Sequence, residues 1–198
     1  MTNSKRFLLA IGVFGFGLCG FAAPSTAANS GSSGQVGFAA ALDAEFGGDD
    51  ILKVKFTNGS TQTMHAGQGV GFNVGAHYRP ENSKFDFLGT IGYKYVTTAA
   101  NNADIHLDRV VFKLAAYYDL TDTWWVSAGP VWHTGVHLKG DGFTSDVNFS
   151  DAVGFNFSVG WRWIGIGYTN MSYEAERPFV GKVDASNFGI YLQWRGLR

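Results

Sequence analysis

From residue 35 onward, bulky apolar side chains fall on every second position, with small or polar residues between them. The clearest run sets Val70, Phe72, Val74, Ala76 and Tyr78 against Gly69, Gly71, Asn73, Gly75 and His77. A second sets Val153, Phe155, Phe157, Val159 and Trp161 against Ala152, Gly154, Asn156, Ser158 and Gly160. A third, near the C-terminus, sets Phe188, Ile190, Leu192 and Trp194 against Asn187, Gly189, Tyr191 and Gln193. A period of two is the signature of a strand whose two faces meet different surroundings.

Eight such segments are predicted, at 35–46, 68–79, 84–96, 106–118, 124–137, 149–161, 163–174 and 186–195. They are longer than the usual soluble strand of about 5–6 residues. They match the roughly 9–11 residues that a tilted strand needs to cross a bilayer. Their connections alternate: long at 47–67, 97–105, 138–148 and 175–185, short at 80–83, 119–122 and around Arg162. Short turns on one side and long loops on the other are the habit of outer-membrane barrels. Within the first long connection, Ile51–Thr57 and Ser60–Ala66 flank Asn58-Gly59, the strongest short hairpin signal, which predicts an extra hairpin projecting on the loop side.

Alternation alone does not say which face meets lipid. An eight-stranded barrel has an interior just wide enough for side chains or one small ligand. The apolar face carries Phe, Trp or Tyr on nearly every segment, too much volume for that interior, so it is expected to face outward. Tyr78, Tyr118, Trp124, Trp161, Trp163 and Trp194 all lie at segment ends beside the short turns or the C-terminus, where they form one aromatic girdle. Parity turns Trp163 inward unless its turn shifts it. Phe46, Tyr95, Phe149 and Tyr173 suggest the opposite belt. On the inner face fall Asp43, Glu45, Asp86, Lys94, Arg109, Lys113 and Arg195. Asp43, Glu45 and Asp86 are expected to pair there with Lys94, Arg109 and Lys113, plugging the lumen, because Lys or Arg facing mid-bilayer costs about 2–4 kcal/mol.

The first residues read differently. Lys5 and Arg6 precede an apolar run from Phe7 to Ala23, and Pro24-Ser25-Thr26-Ala27-Ala28 follows with small residues. This is the layout of a secretory signal, predicted to be cleaved after Ala28, with 29–34 as a flexible lead-in and 35–198 as the barrel domain. Phe16-Gly17-Leu18 before Cys19 does not fit a lipoprotein signal. Cys19 is the one cysteine, so no disulfide framework is available. The chain is 45% hydrophobic but 16% charged, against about 25% charged in an average soluble domain, which excludes intrinsic disorder. A net charge of −1 excludes a basic nucleic-acid binder, and removing Lys5 and Arg6 leaves 13 basic against 16 acidic residues.

With the signal, the eight segments and the terminal Phe188-Gly189-Ile190-Tyr191-Leu192-Gln193-Trp194 strand together, the chain resembles the small eight-stranded outer-membrane barrels of Gram-negative bacteria, the OmpA/OmpX/OmpW-like group. The last stretch is similar to the carboxy-terminal signal by which that group is inserted, although Arg195-Gly196-Leu197-Arg198 follow the aromatic here. The resemblance implies an all-β transmembrane barrel in the outer membrane. It also implies lipid and lipopolysaccharide as surroundings and the outer-membrane assembly machinery as a partner during insertion. The chain is expected to be a monomer.

Candidate chemistry is sparse. His133 and His137 share a parity but lie about 13 Å apart along a strand, too far to share one metal. His65 and His106 fall at loop ends, and His77 on the inner face near the base. Some barrels of this size modify lipid A, but Ser172 and Glu174 have no histidine on their segment to complete a hydrolase triad. Gly67, Gly69, Gly71 and Gly75 keep one parity and read as space-makers in a narrow lumen, not as a phosphate loop. No catalytic, metal or cofactor residue is assigned. The expected role is structural or surface-interactive. The alternatives are passage of small molecules, apolar ones included, across the outer membrane, a lipid-modifying envelope enzyme, and a secreted lipocalin-like binder with the faces reversed.

Overall fold

The computed structural model describes residues 34–55, 59–98, 105–142, 144–178 and 180–196. The expected signal segment, nearly all of the lead-in and Asn58 lie outside them. The described residues form thirteen strands: β1 Gln35–Phe46, β2 Asp50–Lys55, β3 Thr61–His65, β4 Gly69–Arg79, β5 Phe85–Thr97, β6 His106–Asp119, β7 Trp124–Lys139, β8 Val147–Phe149, β9 Ala152–Trp161, β10 Ile164–Asn170, β11 Ser172–Glu174, β12 Lys182–Asp184 and β13 Asn187–Arg195.

Eight of these close into one antiparallel barrel in the order β1-β4-β5-β6-β7-β9-β10-β13, with β13 returning to β1. Closure runs from Ala39 opposite Arg195 to Phe46 opposite Phe188, so no sheet edge is left along the seam. The eight barrel strands fall on the eight predicted segments. The sixth and seventh are shorter than expected, because β8 and β11 break away at the loop end to make separate pairings.

Alternation along each strand becomes two surfaces. Outside stand Phe38, Leu42, Phe72, Ile91, Phe112, Phe155, Ile166 and Leu192, each 40% or more exposed. Apolar side chains of that size, exposed all round the wall, leave a continuous belt that water does not stabilise. Inside stand Ala39, Asp43, Glu45, Lys94, Arg109, Tyr117, Trp125, His133 and Asn156, all buried.

The loop end is built differently from the expectation of a hairpin standing clear. β2 and β3 pair as predicted, but Val54 and Met64 turn into an apolar cluster with Ile105, Leu107, Val136, Leu138, Phe149 and Tyr173. Phe149 and Tyr173, read from the sequence as a lipid-facing belt, are therefore interior residues of this cap. The cause on β7 is a bulge. Asp108 pairs with His137 and Val110 with Thr134, so one extra residue sits on β7, at Gly135 with φ of 58°. A left-handed residue in a bulge reverses side-chain parity beyond it. Val136 and Leu138 turn inward, and His137, expected in the lumen beside His133, turns outward.

Candidate functional site

The lumen is filled in three layers. At the turn end, Trp125 lies across the interior with its ring 5.2 Å from Tyr117, and its Nε1 donates to the carbonyl of Arg162 at 2.9 Å. Gly160 and Gly165 make room for this ring: a Cβ at either would fall 2.1 or 2.6 Å from its carbons. Below Trp125, the Arg195 guanidinium stacks over Tyr117 at 4.3 Å and donates to Asp86 at 3.3 Å. Asp86 also accepts from Arg79 at 3.3 Å and lies 3.0 Å from Nδ1 of His77, while Arg79 reaches Asp119 at 2.8 Å. A charge cluster thus ties the C-terminal strand to β4, β5 and β6, around a polar bowl of about 420 Å3 open at the turn end.

The middle layer is a hydrogen-bond chain. Ser158 donates to Asn156 at 2.7 Å, and the Asn156 amide donates to Thr169 at 2.9 Å and to the Tyr191 hydroxyl at 3.2 Å. The Tyr191 hydroxyl in turn donates to Glu45 at 3.2 Å, and Lys113 lies over the Tyr191 ring at 4.8 Å. Asp43 accepts from Asn73. The free space left among these groups is about 40 Å3, room for little more than a water or two.

Toward the loops, Lys94 pairs with Glu45, both buried. Arg109 is fully buried and donates to the carbonyls of Gln68 at 2.7 Å and Gly67 at 3.4 Å, where the chain returns from the β2–β3 hairpin. His133 Nδ1 lies 2.6 Å from the Tyr173 hydroxyl beneath the apolar cap.

Of the six charged residues expected in one network, the structure brings Glu45 and Lys94 into contact and sets Asp43 and Lys113 in the same cavity wall. It does not bring Asp86 to them. Asp86 sits in the turn-end cluster with Arg79, Arg195 and His77, because it lies near the start of β5 and Lys94 near its end, eight residues along the strand. Among the described residues Arg109 meets backbone carbonyls rather than a carboxylate. Sequence reading passed over Trp125 and Tyr117, since an inward aromatic looks out of place on a small-residue face; glycine at two cross-strand positions is the signal that room was made for it.

The six aromatics expected in the girdle all point outward or into the turn. Trp124, Trp161, Trp163 and Trp194 are between 41% and 57% exposed, and Tyr78 is 43%. Tyr118 is half-buried against Phe85, ring centroids 5.0 Å apart. Trp163 escapes its inward parity because Arg162 and Trp163 are the two turn residues between paired Trp161 and Ile164, with Arg162 at φ 52°.

On the outer rim, Asp108 accepts from the Tyr93 hydroxyl at 3.0 Å and lies 3.7 and 3.9 Å from His106 and His137. Among the described residues no group of three or more His, Cys, Asp or Glu is arranged to hold a metal ion. Ser172 and Glu174 lie on β11, paired with β12.

No family model matches the chain, and no curated protein matches it. Among solved structures it is similar to Ail, the attachment invasion locus protein of Yersinia pestis, determined in complex with the heparin analogue sucrose octasulfate. The identity is 11%, the TM-score 0.38, and the match covers 82% of this chain and 99% of that one.

Proposed function

We propose that the chain is an outer-membrane barrel with a plugged polar lumen, acting as a structural element of the envelope and presenting its loop-end cap to the outside. The observation that carries the reading is the inversion of polarity: charges and amides inside, apolar and aromatic residues outside around the whole wall. In water such a wall is an association surface; in a bilayer it is the matching surface. On this reading the turn end and its aromatic girdle face the periplasm, the loop end faces outward, and the lipid and lipopolysaccharide of the two leaflets surround the wall.

The three filled layers support a role without conduction. A solute entering from the turn end meets Trp125 and the Arg195–Asp86 cluster, then the Glu45–Tyr191–Asn156 chain, then the apolar cap. Each layer is held by its own contacts, so opening a path requires breaking all three.

Fractionation followed by semi-native electrophoresis tests the reading. The expected outcome is an outer-membrane protein whose unboiled form runs faster than its boiled form, and which gives no steady conductance steps in planar bilayers. A protein free in the periplasm with no heat shift overturns the membrane assignment. Reproducible conductance steps overturn the plug alone.

A further inference from the structure

The outer wall is not an even cylinder. Between two rows of outward side chains runs an apolar groove of about 910 Å3, twice the volume of a second hollow on the wall beside Trp132. One bank is the cross-strand row Ala116, Ala128, Phe157, Tyr168, Phe188 and Phe46, each paired with the next. The other bank is the neighbouring row Tyr118, Val126, Val159, Ile166 and Ile190, paired in the same sequence. The floor is the row between them, Ser127, Ser158, Gly167 and Gly189, whose side chains point inward or are missing.

The groove's depth follows from these residue types. Aromatic side chains raise one bank on four successive strands, while backbone alone forms the floor at Gly167 and Gly189. At Ala116 and Ala128 the bank drops, and the groove widens toward Tyr118 and Phe85 at the turn end. It crosses five strand-to-strand gaps from β6 to β1, roughly 24 Å at ordinary strand spacing. Because barrel strands tilt, a cross-strand row climbs the wall obliquely. The groove therefore runs from the turn-end interface up into the apolar belt, as the tail of a lipid does.

A cation stands at its lower end. Lys84 is exposed, with its ammonium 6.0 Å from the centre of the Tyr118 ring that closes the groove. A second cation flanks the same turn: Asp119 N–H donates to the Lys84 carbonyl at 2.9 Å on one side, and Arg162 N–H to the Thr123 carbonyl at 2.6 Å on the other. Arg162 lies over the Trp161 ring at 4.8 Å. Asp119 and Asp122 line the inner bowl, and Lys84 borders both that bowl and the Tyr118 ring, whereas Arg162 lies outside the bowl over Trp161.

We infer that this groove seats one phospholipid of the periplasmic leaflet with an anionic headgroup, its phosphate between Lys84 and Arg162 and one acyl chain along the floor from Ser127 to Gly189. The seat rests on the membrane reading above and adds to it a preferred lipid at a fixed place. Apolar area holds the chain, and the cations select the headgroup.

The test uses the mature protein in nanodiscs of equal phosphatidylglycerol and phosphatidylcholine with identical chains, followed by native mass spectrometry of the retained lipid. The wild type is expected to retain one phosphatidylglycerol. Lys84→Gln should lower the preference over phosphatidylcholine about fivefold, the effect of one interfacial cation on an anionic lipid. Ala128→Phe, on the outer wall, should fill the wide part of the groove and remove the retained lipid of either kind while the heat shift persists. Equal retention of the two lipids by the wild type, or retention unchanged in Ala128→Phe, overturns the seat and leaves the membrane barrel standing. Failure of the chain to enter nanodiscs at all overturns the membrane reading and the seat together.

Discussion

Glu45 and Lys94 lie on strands separated by β4, forty-nine residues apart in the chain, and meet as a buried ion pair. Removing one partner leaves the other charged and unpaired in the interior, so Lys94→Met should cost about 3–5 kcal/mol of stability. Glu45→Leu combined with Lys94→Leu removes both charges and should fall much nearer to wild type. Equilibrium unfolding in detergent or vesicles measures both, and equal losses in the single and double variants would count against the pairing. Gly160 offers a steric counterpart. Any side chain there meets the Trp125 ring, whereas a Cβ at Gly181 meets nothing within 4 Å. Gly160→Leu should abolish the faster-running unboiled band, and Gly181→Ala should leave it unchanged.

At the scale of elements, the bulge on β7 decides where the membrane-type barrel gives way to the apolar cap. Deleting Gly135 removes the extra residue, so that Val136 follows Thr134 in simple alternation and Val136 and Leu138 stay inward with His137 outward. The expected result is a barrel that keeps its heat shift and whose 50–65 hairpin stays resistant to protease, because Val54 and Met64 keep their partners. Ready cleavage of that hairpin would show that the bulge geometry itself is needed to seat the cap. The β11–β12 hairpin has its own electrostatic tie. The Ser186 hydroxyl and backbone N–H beside Asp184, the latter donating at 2.8 Å, hold that carboxyl below its ordinary value. A lowered folded-state value means that its contribution is present in full above the ordinary carboxylate range and is lost as pH falls through the lowered value. A carboxyl-carbon titration by NMR should therefore find Asp184 below an ordinary aspartate, and Ser186→Ala should move it upward.

For the whole molecule, the surroundings of the outer wall are the quantity at stake. Ile91 stands outward near the middle of β5, 48% exposed. Ile91→Arg should cost about 2–4 kcal/mol when the protein is folded into a bilayer. In a water-soluble barrel the same change on an exposed position costs almost nothing, so unfolding measured in vesicles separates the two environments. An unchanged stability there would argue that this wall does not face lipid.

The eight long alternating segments, their short and long connections and the outward aromatics were legible in the residues themselves, because a period of two is local and each residue carries its own evidence. Parity likewise assigned Asp43, Glu45, Lys94 and Arg109 to the interior, although it is silent on height. Which charges meet depends on stagger between strands: Asp86 found Arg195 from the far end of the chain, and Arg109 found the carbonyls of a loop. His137 was misplaced because the left-handed Gly135 reverses the side chains beyond it on β7, which no local pattern announces. Phe149 and Tyr173 were misplaced because β8 and β11 break from the barrel strands and join the apolar cap. Composition and alternation thus determined a barrel and its two faces. Register, bulge and closure, which are properties of strand pairs, decided what fills it and where it is capped.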